Sequence, residues 1–439
     1  NGAKTEIVLV AAGEGAVEKT YTVTVNKVAP ASCKFTVTPS DVNVLLYDEA
    51  GTLLTPSAKN TYENLLTGKE YSYSAAKLGY IASAGTITAG EDTEVLLALQ
   101  KAPESTLEDV GAEWKNFRGS DVNMAITGAK TPTTASGAGM KWAVKLGTGW
   151  GNAPSVQIIA DDAIICMAGT NLYKLSKETG EILATAAMVK ACDWGYTPPT
   201  YAEGMLFVPL KDGTIQAFNA KTLESLWISK SFGGQAVTPI TYDNGYIYTG
   251  FWNAEIKDGS YVCLPVTDED PNKTDETKYP MWTHTVPGGF YWAGSYVSGD
   301  VVVYGSDNGK GTDEEDAPGY VYSRNKLTGE AVDQLEVVGD VRSNIAYDKE
   351  SDMLFFTTKA GYIYTVKLNS DGTFDDSTVK YHDYEKQCTS TPLVYKGKVY
   401  FGAGKLNENG ARIVVADAKT LEEIDSVSML GYPQNALLL

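Results

Sequence analysis

The residues best suited to recognition chemistry are aromatic and sit in glycine-flanked stretches: Gly149-Trp150-Gly151, Cys192-Asp193-Trp194-Gly195-Tyr196 and Gly289-Phe290-Tyr291-Trp292. Trp252, Arg342, Gln387, Tyr432 and Gln434 occupy comparable places farther along the chain. Rings accompanied by a few polar groups stack on sugar faces, flat cofactors or peptide side chains, while directional hydrogen bonds fix orientation. The same rings can equally serve as packing. A second stretch, Ser306 to Asp316 (SDNGKGTDEED), gathers carboxylates among glycines, and Asp307, Asp313 and Asp316 are weak candidates for calcium. It lacks the D-x-D-x-D-G…E spacing of a calcium loop, so a solvated loop is expected. Thr267 to Thr277 (TDEDPNKTDET) has the same character and is expected to be an exposed insertion.

Nucleophile and metal chemistry find little support. The two histidines, His284 and His382, lie in strand-like alternation about a hundred residues apart, and no Ser-His-Asp or Cys-His arrangement follows from their positions. The five cysteines (Cys33, Cys166, Cys192, Cys263, Cys388) form no C-x-x-C pair, which argues against a zinc site, and their odd number argues against a disulfide framework. They are expected to be buried small apolar residues. Carboxylates are too plentiful to single out a catalytic pair. No catalytic residue and no cofactor is assigned.

Lys+Arg is 36 against Asp+Glu 55, a formal charge of -19, which disfavours nucleic acid and anionic membrane surfaces because phosphate binding needs a basic patch. No apolar run of 18 residues or more exists, and residues 1 to 30 lack the charged start and apolar core of a signal peptide. The chain opens mid-pattern, as a mature fragment would. Its 439 residues call for two or three domains, the largest able to bury a sizeable core.

The elements that must carry these residues are strands. Ile7 to Val10 and Tyr21 to Val25 alternate β-branched and aromatic residues about Gly13-Glu14-Gly15, a hairpin pattern. Residues 31–102 read as a small sandwich, with strands at Phe35-Thr-Val37, Val42 to Tyr47, Tyr71-Ser-Tyr73 and Glu94 to Leu99. Lys101 to Ser105 (KAPES) is linker-like, and residues 103–140 lead from it into the repeats. From 141 to 439 two hairpins alternate. One comprises PSVQIIADDAIICM, PPTYAEGMLFVPL, PITYDNGYIYTGF, GSYVSGDVVVYGS, NIAYDKESDMLFFTT and PLVYKGKVYFGAG; the other comprises LYKLSKETGEIL, IQAFNAKTLESLW, YVYSRNKLTGEAV, YIYTVKLNSDGTF and IVVADAKTLEEI. Four strands per 40 to 50 residues is a propeller blade, whose faces stay open until neighbours pack around a ring. Six units are visible. A seventh begins at Pro433-Gln-Asn-Ala-Leu-Leu-Leu439, and Trp142-Ala-Val-Lys-Leu146 has outer-strand character, so the ring is expected to have seven blades with the last incomplete.

These repeats resemble the quinoprotein-like propellers: EWKNFRGSDVN at 113–123 looks like their lead-in, and LYKLSKETGEIL and IQAFNAKTLESLW look like their turns. The N-terminal hairpin resembles the last strands of a cadherin-like or Ig-like sandwich (residues 1–30), and residues 31–102 resemble PEGA or carboxypeptidase-regulatory modules. The combination is similar to surface proteins of Gram-positive gut bacteria. Dehydrogenases of the family hold pyrroloquinoline quinone against calcium and a tryptophan floor, beside a disulfide of adjacent cysteines and a catalytic aspartate; this chain has no Cys-Cys pair and a partial tryptophan pattern. The resemblance therefore implies the all-β fold and not the dehydrogenase chemistry. A secreted or cell-surface binding protein is expected, its mouth formed by Trp150, Trp194, Trp252, Tyr291, Trp292, Arg342, Gln387 and Tyr432 and taking a small molecule, glycan or protein. The alternatives are an enzyme, of the quinone-dependent or glycan-cleaving type, and a protein-docking scaffold.

Overall fold

The computed structural model describes residues 29–149, 152–193, 197–311 and 314–439, together with the backbone of 4–9 and 21–26. Alternating β-branched and aromatic residues give strands almost throughout; the one helical element among the described residues is a 3-10 turn at Ala135–Gly137. The chain divides into two compact units, residues 1–76 with 81–100, and residues 77–80 with 101–439.

In the first unit Lys4–Leu9 pairs antiparallel with Tyr21–Asn26. Two three-stranded sheets follow. Ala31–Thr38 lies between Thr61–Leu65 and, in parallel, Glu94–Ala98, while Glu70–Ala75 lies between Val44–Tyr47 and Ser83–Thr88. The period of two in Ala31–Thr38 turns Cys33, Phe35 and Val37 inward against Tyr62 and Tyr73. Asn60 ties a loop to this core, accepting from Val44 N at 2.8 Å and donating to Val42 O at 2.9 Å.

In the second unit each pair of hairpins folds into one four-stranded antiparallel meander, giving six blades among the described residues. Their inner strands are Ile158–Ala160, Thr200–Ala202, Thr241–Asp243, Tyr296–Ser298, Ala346–Asp348 and Leu393–Tyr395. The outer strands are Ile182–Ala187, Ser225–Ser229, Trp282–Pro287, Ala331–Val338, Phe374–Asp383 and Glu423–Ser428. Ala112–Trp114 adds a fifth strand to blade 1. The turn before the outer strand repeats one device in blades 1, 2, 4 and 6: Ser176, Asn219, Asn325 and Asp417 each accept backbone N–H bonds two and three residues ahead. Apolar clusters fill the spaces between blades, for example Ile165 and Leu172 of blade 1 against Leu206 and Phe218 of blade 2.

The lead-in crosses the inner strands. Lys115 O accepts from Tyr201 N, Asn123 Nδ2 donates to Ser295 O and Ile345 O at 2.8 Å each, and Val122 O accepts from Tyr347 N.

Trp142–Leu146 and Pro433–Leu439 form no strand, so the seventh blade is not a sheet among the described residues. Both segments nevertheless occupy the places a seventh blade requires. Trp142 Nε1 donates to Lys177 O at 3.0 Å as its ring covers Gly180; Trp282, an outer-strand residue, donates to Lys326 O at 2.9 Å over Gly329, the same positions of the next repeat. At the other end, a Cβ on Gly250 or Gly305 would strike Phe290 at 2.4 Å or Val341 at 2.2 Å, each entering the next inner strand; on Gly402 it would strike Pro433 at 2.1 Å. Ile159, Ile164 and Leu175 of blade 1 line an apolar cleft together with Trp142 and Val144.

The acidic insertion is not simply exposed. Glu276–Lys278 adds a parallel strand to the outer edge of blade 2, and the Lys278 ammonium is fully buried, 2.6 Å from Glu269 Oε1 and over the Trp227 ring. Lys278 pairs with Glu269 and Glu276, so those two charges do not keep this part of the segment in water. Pro271 to Asp275 remain exposed.

Candidate functional site

Two sets of loops, those after each outer strand and those between the middle strands, are joined to one another by backbone bonds such as Gln235 N to Trp252 O at 2.7 Å and Lys359 N to Asp340 O at 2.8 Å. They therefore share one face of the propeller. Their short length and glycines place side chains there without strain at most positions. Trp292 is an exception, since its φ of 57° is rare for a bulky residue.

At the centre of this face is Arg342, between blades 4 and 5. Its Nε donates to Asp307 Oδ1 at 3.0 Å and its Nη2 to Asp307 Oδ2 and Glu255 Oε2, both at 2.6 Å, with Asp340 Oδ2 at 3.3 Å. Its guanidinium lies 4.8 Å from the Tyr291 ring centroid and 5.9 Å from that of Trp252. Trp252 Nε1 donates to Asp307 Oδ2 at 3.0 Å. Tyr291 meets Trp252 edge-on at 5.0 Å and Trp292 at 4.6 Å. Around this hub, Lys359 Nζ is 3.7 to 3.8 Å from oxygens of Asp340, Glu255 and Glu315, and Gln387 donates to Glu315 at 3.1 Å.

Burial disfavours the charged forms here. It pushes the Asp307 carboxyl up to about 7, against the pull of Arg342 and with the repulsion of Asp340. Burial alone would lower Arg342, but Asp307, Asp340 and Glu255 raise it well above its ordinary value. His284 is not part of the face: it bonds Tyr304 at 2.9 Å between blades 3 and 4, and burial lowers its imidazole to about 3.

Five of the expected mouth residues converge through direct contacts: Trp252, Tyr291, Trp292 and Arg342 with one another, and Gln387 through Glu315. Tyr432 bonds Thr389 Oγ1 at 2.8 Å on the blade 6 side. Trp292 and Arg342 also line, with Phe117, Asn344, Thr389 and Gln434, a small cavity with room for about one water. Trp150 and Trp194 lie outside the described residues, as does Asp313. Of the other calcium candidates, Asp307 is bound to Arg342 and Asp316 is exposed. The aromatic loops serve packing as well, since Phe290 is fully buried against Tyr261 and Tyr304. The carboxylates Glu255, Asp340 and Glu315 and the cation Lys359 were not singled out in the sequence. Glu255, Glu315 and Lys359 lie in the loops between the middle strands of blades 3, 4 and 5, and Asp340 follows the outer strand of blade 4, places that become comparable only once the repeats are in register.

Glu255, Asp307 and Asp340 offer oxygens within 4.8 Å of one another, a spacing a divalent cation can use. Here the Arg342 guanidinium bonds or pairs with all three, so a metal would have to displace a buried arginine. The arrangement does not fit the calcium and quinone pair of the dehydrogenases, nor are adjacent cysteines present; all five thiols are free and buried.

Residues 134–253 match the family model described as outer membrane protein assembly factor BamB (PQQ_2). No curated protein matches the chain. Among solved structures, the quinohemoprotein alcohol dehydrogenase from Comamonas testosteroni is similar at a TM-score of 0.54 and 13% identity, over 74% of this chain and 68% of that one. A europium-containing methanol dehydrogenase gives 0.48 and 11%, over 75% and 87%. The six four-stranded blades and the likeness to the fold of the alcohol dehydrogenase make residues 101–439 a propeller, within which residues 134–253 match PQQ-like repeats.

Proposed function

We propose that the propeller is a non-catalytic binding module whose face around Arg342 takes a small ligand, a glycan or a protein, and that the chain works at the cell surface or outside the cell, as in the Gram-positive surface proteins it resembles, with its sandwich modules as spacers. The observation that carries this reading is the convergence of Trp252, Tyr291 and Trp292 on one face with paired charges from blades 3, 4 and 5. Half-buried rings beside polar groups held in fixed geometry suit recognition, because little side-chain entropy is lost on binding. The acids and bases there hold one another in ion pairs, which suits holding a ligand better than cycling protons.

The test is a ligand-observed NMR screen of mixed sugars, peptides and flat heterocycles against the wild type and Trp252→Ala. Hits lost in the variant support the reading, with about 1–3 kcal/mol expected if the ring is a hot spot. Hits indifferent to Trp252→Ala speak against this face and for docking elsewhere on the blades. The enzyme alternative predicts reduction of a dye acceptor when pyrroloquinoline quinone and calcium are supplied with an alcohol; turnover that is lost in Asp307→Asn would replace the binding reading with an enzymatic one.

A further inference from the structure

The charges on the Arg342 face are matched almost one to one, yet not all of their hydrogen-bonding capacity is used. Asp307, Asp340, Glu255 and Glu315 stand against Arg342, Lys359 and Lys405. A cationic ligand would meet three fixed cations and an anionic one four carboxylates, so neither sign gains much from the field. Among the described residues, Lys359 Nζ makes no hydrogen bond: the three carboxylate oxygens about it stay at 3.7 to 3.8 Å, and its side chain is 11% exposed. Arg342 spends Nε and Nη2 on Asp307 and Glu255 and leaves Nη1 without a hydrogen-bond partner among those residues. Glu255 and Glu315 are partly exposed, at 27% and 28%. The face thus offers unspent donors within 4 Å of accessible acceptors, beside the half-buried rings of Trp252 and Trp292.

A hydroxyl group matches this pattern, since one O–H donates to a carboxylate while its oxygen accepts from an ammonium or guanidinium. A row of hydroxyls on a ring with an apolar face adds stacking on the indoles. Resting on the binding reading above, we infer that the ligand is a neutral, hydroxyl-rich pyranose sugar, with Lys359 and Arg342 as donors and Glu255 and Glu315 as acceptors.

The experiment is isothermal titration of the full chain with cellobiose, maltose and di-N-acetylchitobiose as neutral probes, digalacturonate as an anion and glucosamine disaccharide as a cation. Each is repeated with Lys359→Met, Trp252→Ala and Trp252→Phe. The expected result is that a neutral disaccharide binds at least tenfold more tightly than either charged one, that Lys359→Met weakens it at least tenfold, and that Trp252→Phe restores most of what Trp252→Ala loses. Thermal melts identify any variant that has not folded, in which case Glu255→Gln carries the same comparison. Preference for a charged probe, or neutral binding untouched by both Lys359→Met and Glu255→Gln, overturns the inference. Absence of binding by every saccharide, with peptide or heterocycle hits still dependent on Trp252, overturns the sugar class and leaves the binding face standing; hits independent of Trp252 overturn both.

Discussion

Asp307 shows how much one side chain holds in place. Fully buried, it accepts two bonds from Arg342 and one from Trp252. Asp307→Ala would leave a buried guanidinium short of its main partner, which costs about 3–5 kcal/mol. Urea denaturation should show that loss as a lower midpoint at unchanged slope. His284 makes a second residue-scale prediction. Its imidazole stays neutral in the folded chain down to about 3, while the unfolded chain protonates near the ordinary value of 6.5. Between those limits the unfolded state holds more protons, so the stability contributed by neutral His284 is full above 6.5 and lost progressively as pH falls toward 3. In His284→Phe the slope of unfolding free energy against pH should flatten between 6.5 and 4; an unchanged slope would show that other groups carry the dependence.

At the scale of the element, the indole that docks on the next blade's turn is a repeated structural unit. Trp282 is 3% exposed, and Trp282→Ala should cost about 3–5 kcal/mol. Trp142 makes the same bond over the same glycine position but is less buried and belongs to no sheet, so Trp142→Ala should fall in the ordinary range of about 0.5–3 kcal/mol. Hydrogen exchange should show the loss concentrated in the turn 176–181. The strand Glu276–Lys278 depends on a charge balance instead. Lys278→Met strands Glu269 and Glu276 without their cation and should cost about 3–5 kcal/mol, whereas adding Glu269→Leu and Glu276→Gln should recover much of it. Burial among neighbouring carboxylates already holds Asp268 up at about 6, a sign of how little further negative charge this edge tolerates.

For the whole molecule, the division into two compact units, each with its own apolar core, predicts two calorimetric transitions rather than one. Limited proteolysis should yield a stable fragment beginning within 101–111, a stretch with little regular structure. A single transition, and a chain degraded without a propeller-sized fragment, would show the units to be one cooperative body. The net charge of -19 sets the surface field, while a neutral ligand at the Arg342 face makes binding nearly indifferent to ionic strength.

Much of this architecture is written locally. The alternation in Ala31–Thr38 turns every second side chain inward, Val44–Tyr47, Thr214–Asn219 and Tyr362–Leu368 make strands buried on both faces, and Ser176, Asn219, Asn325 and Asp417 fix where their hairpins reverse. The repeat length then dictates blades, since a four-stranded meander cannot bury both faces alone. Blade 3 lacks the short second hairpin of the other repeats, because its third strand, Asp258–Pro265, and its outer strand, Trp282–Pro287, are separated by the acidic insertion. The aromatic members of the site and Arg342 are legible in the loops of the sequence; Glu255, Asp340, Glu315 and Lys359 are not, because an ion pair 87 residues apart leaves no local trace. Only the packing of blades 3, 4 and 5 side by side brings Glu255, Asp307, Asp340 and Lys359 around Arg342. Only burial turns what reads as a solvated acidic loop into the bidentate partner of an arginine, because a carboxylate removed from water must find a cation or give up its charge.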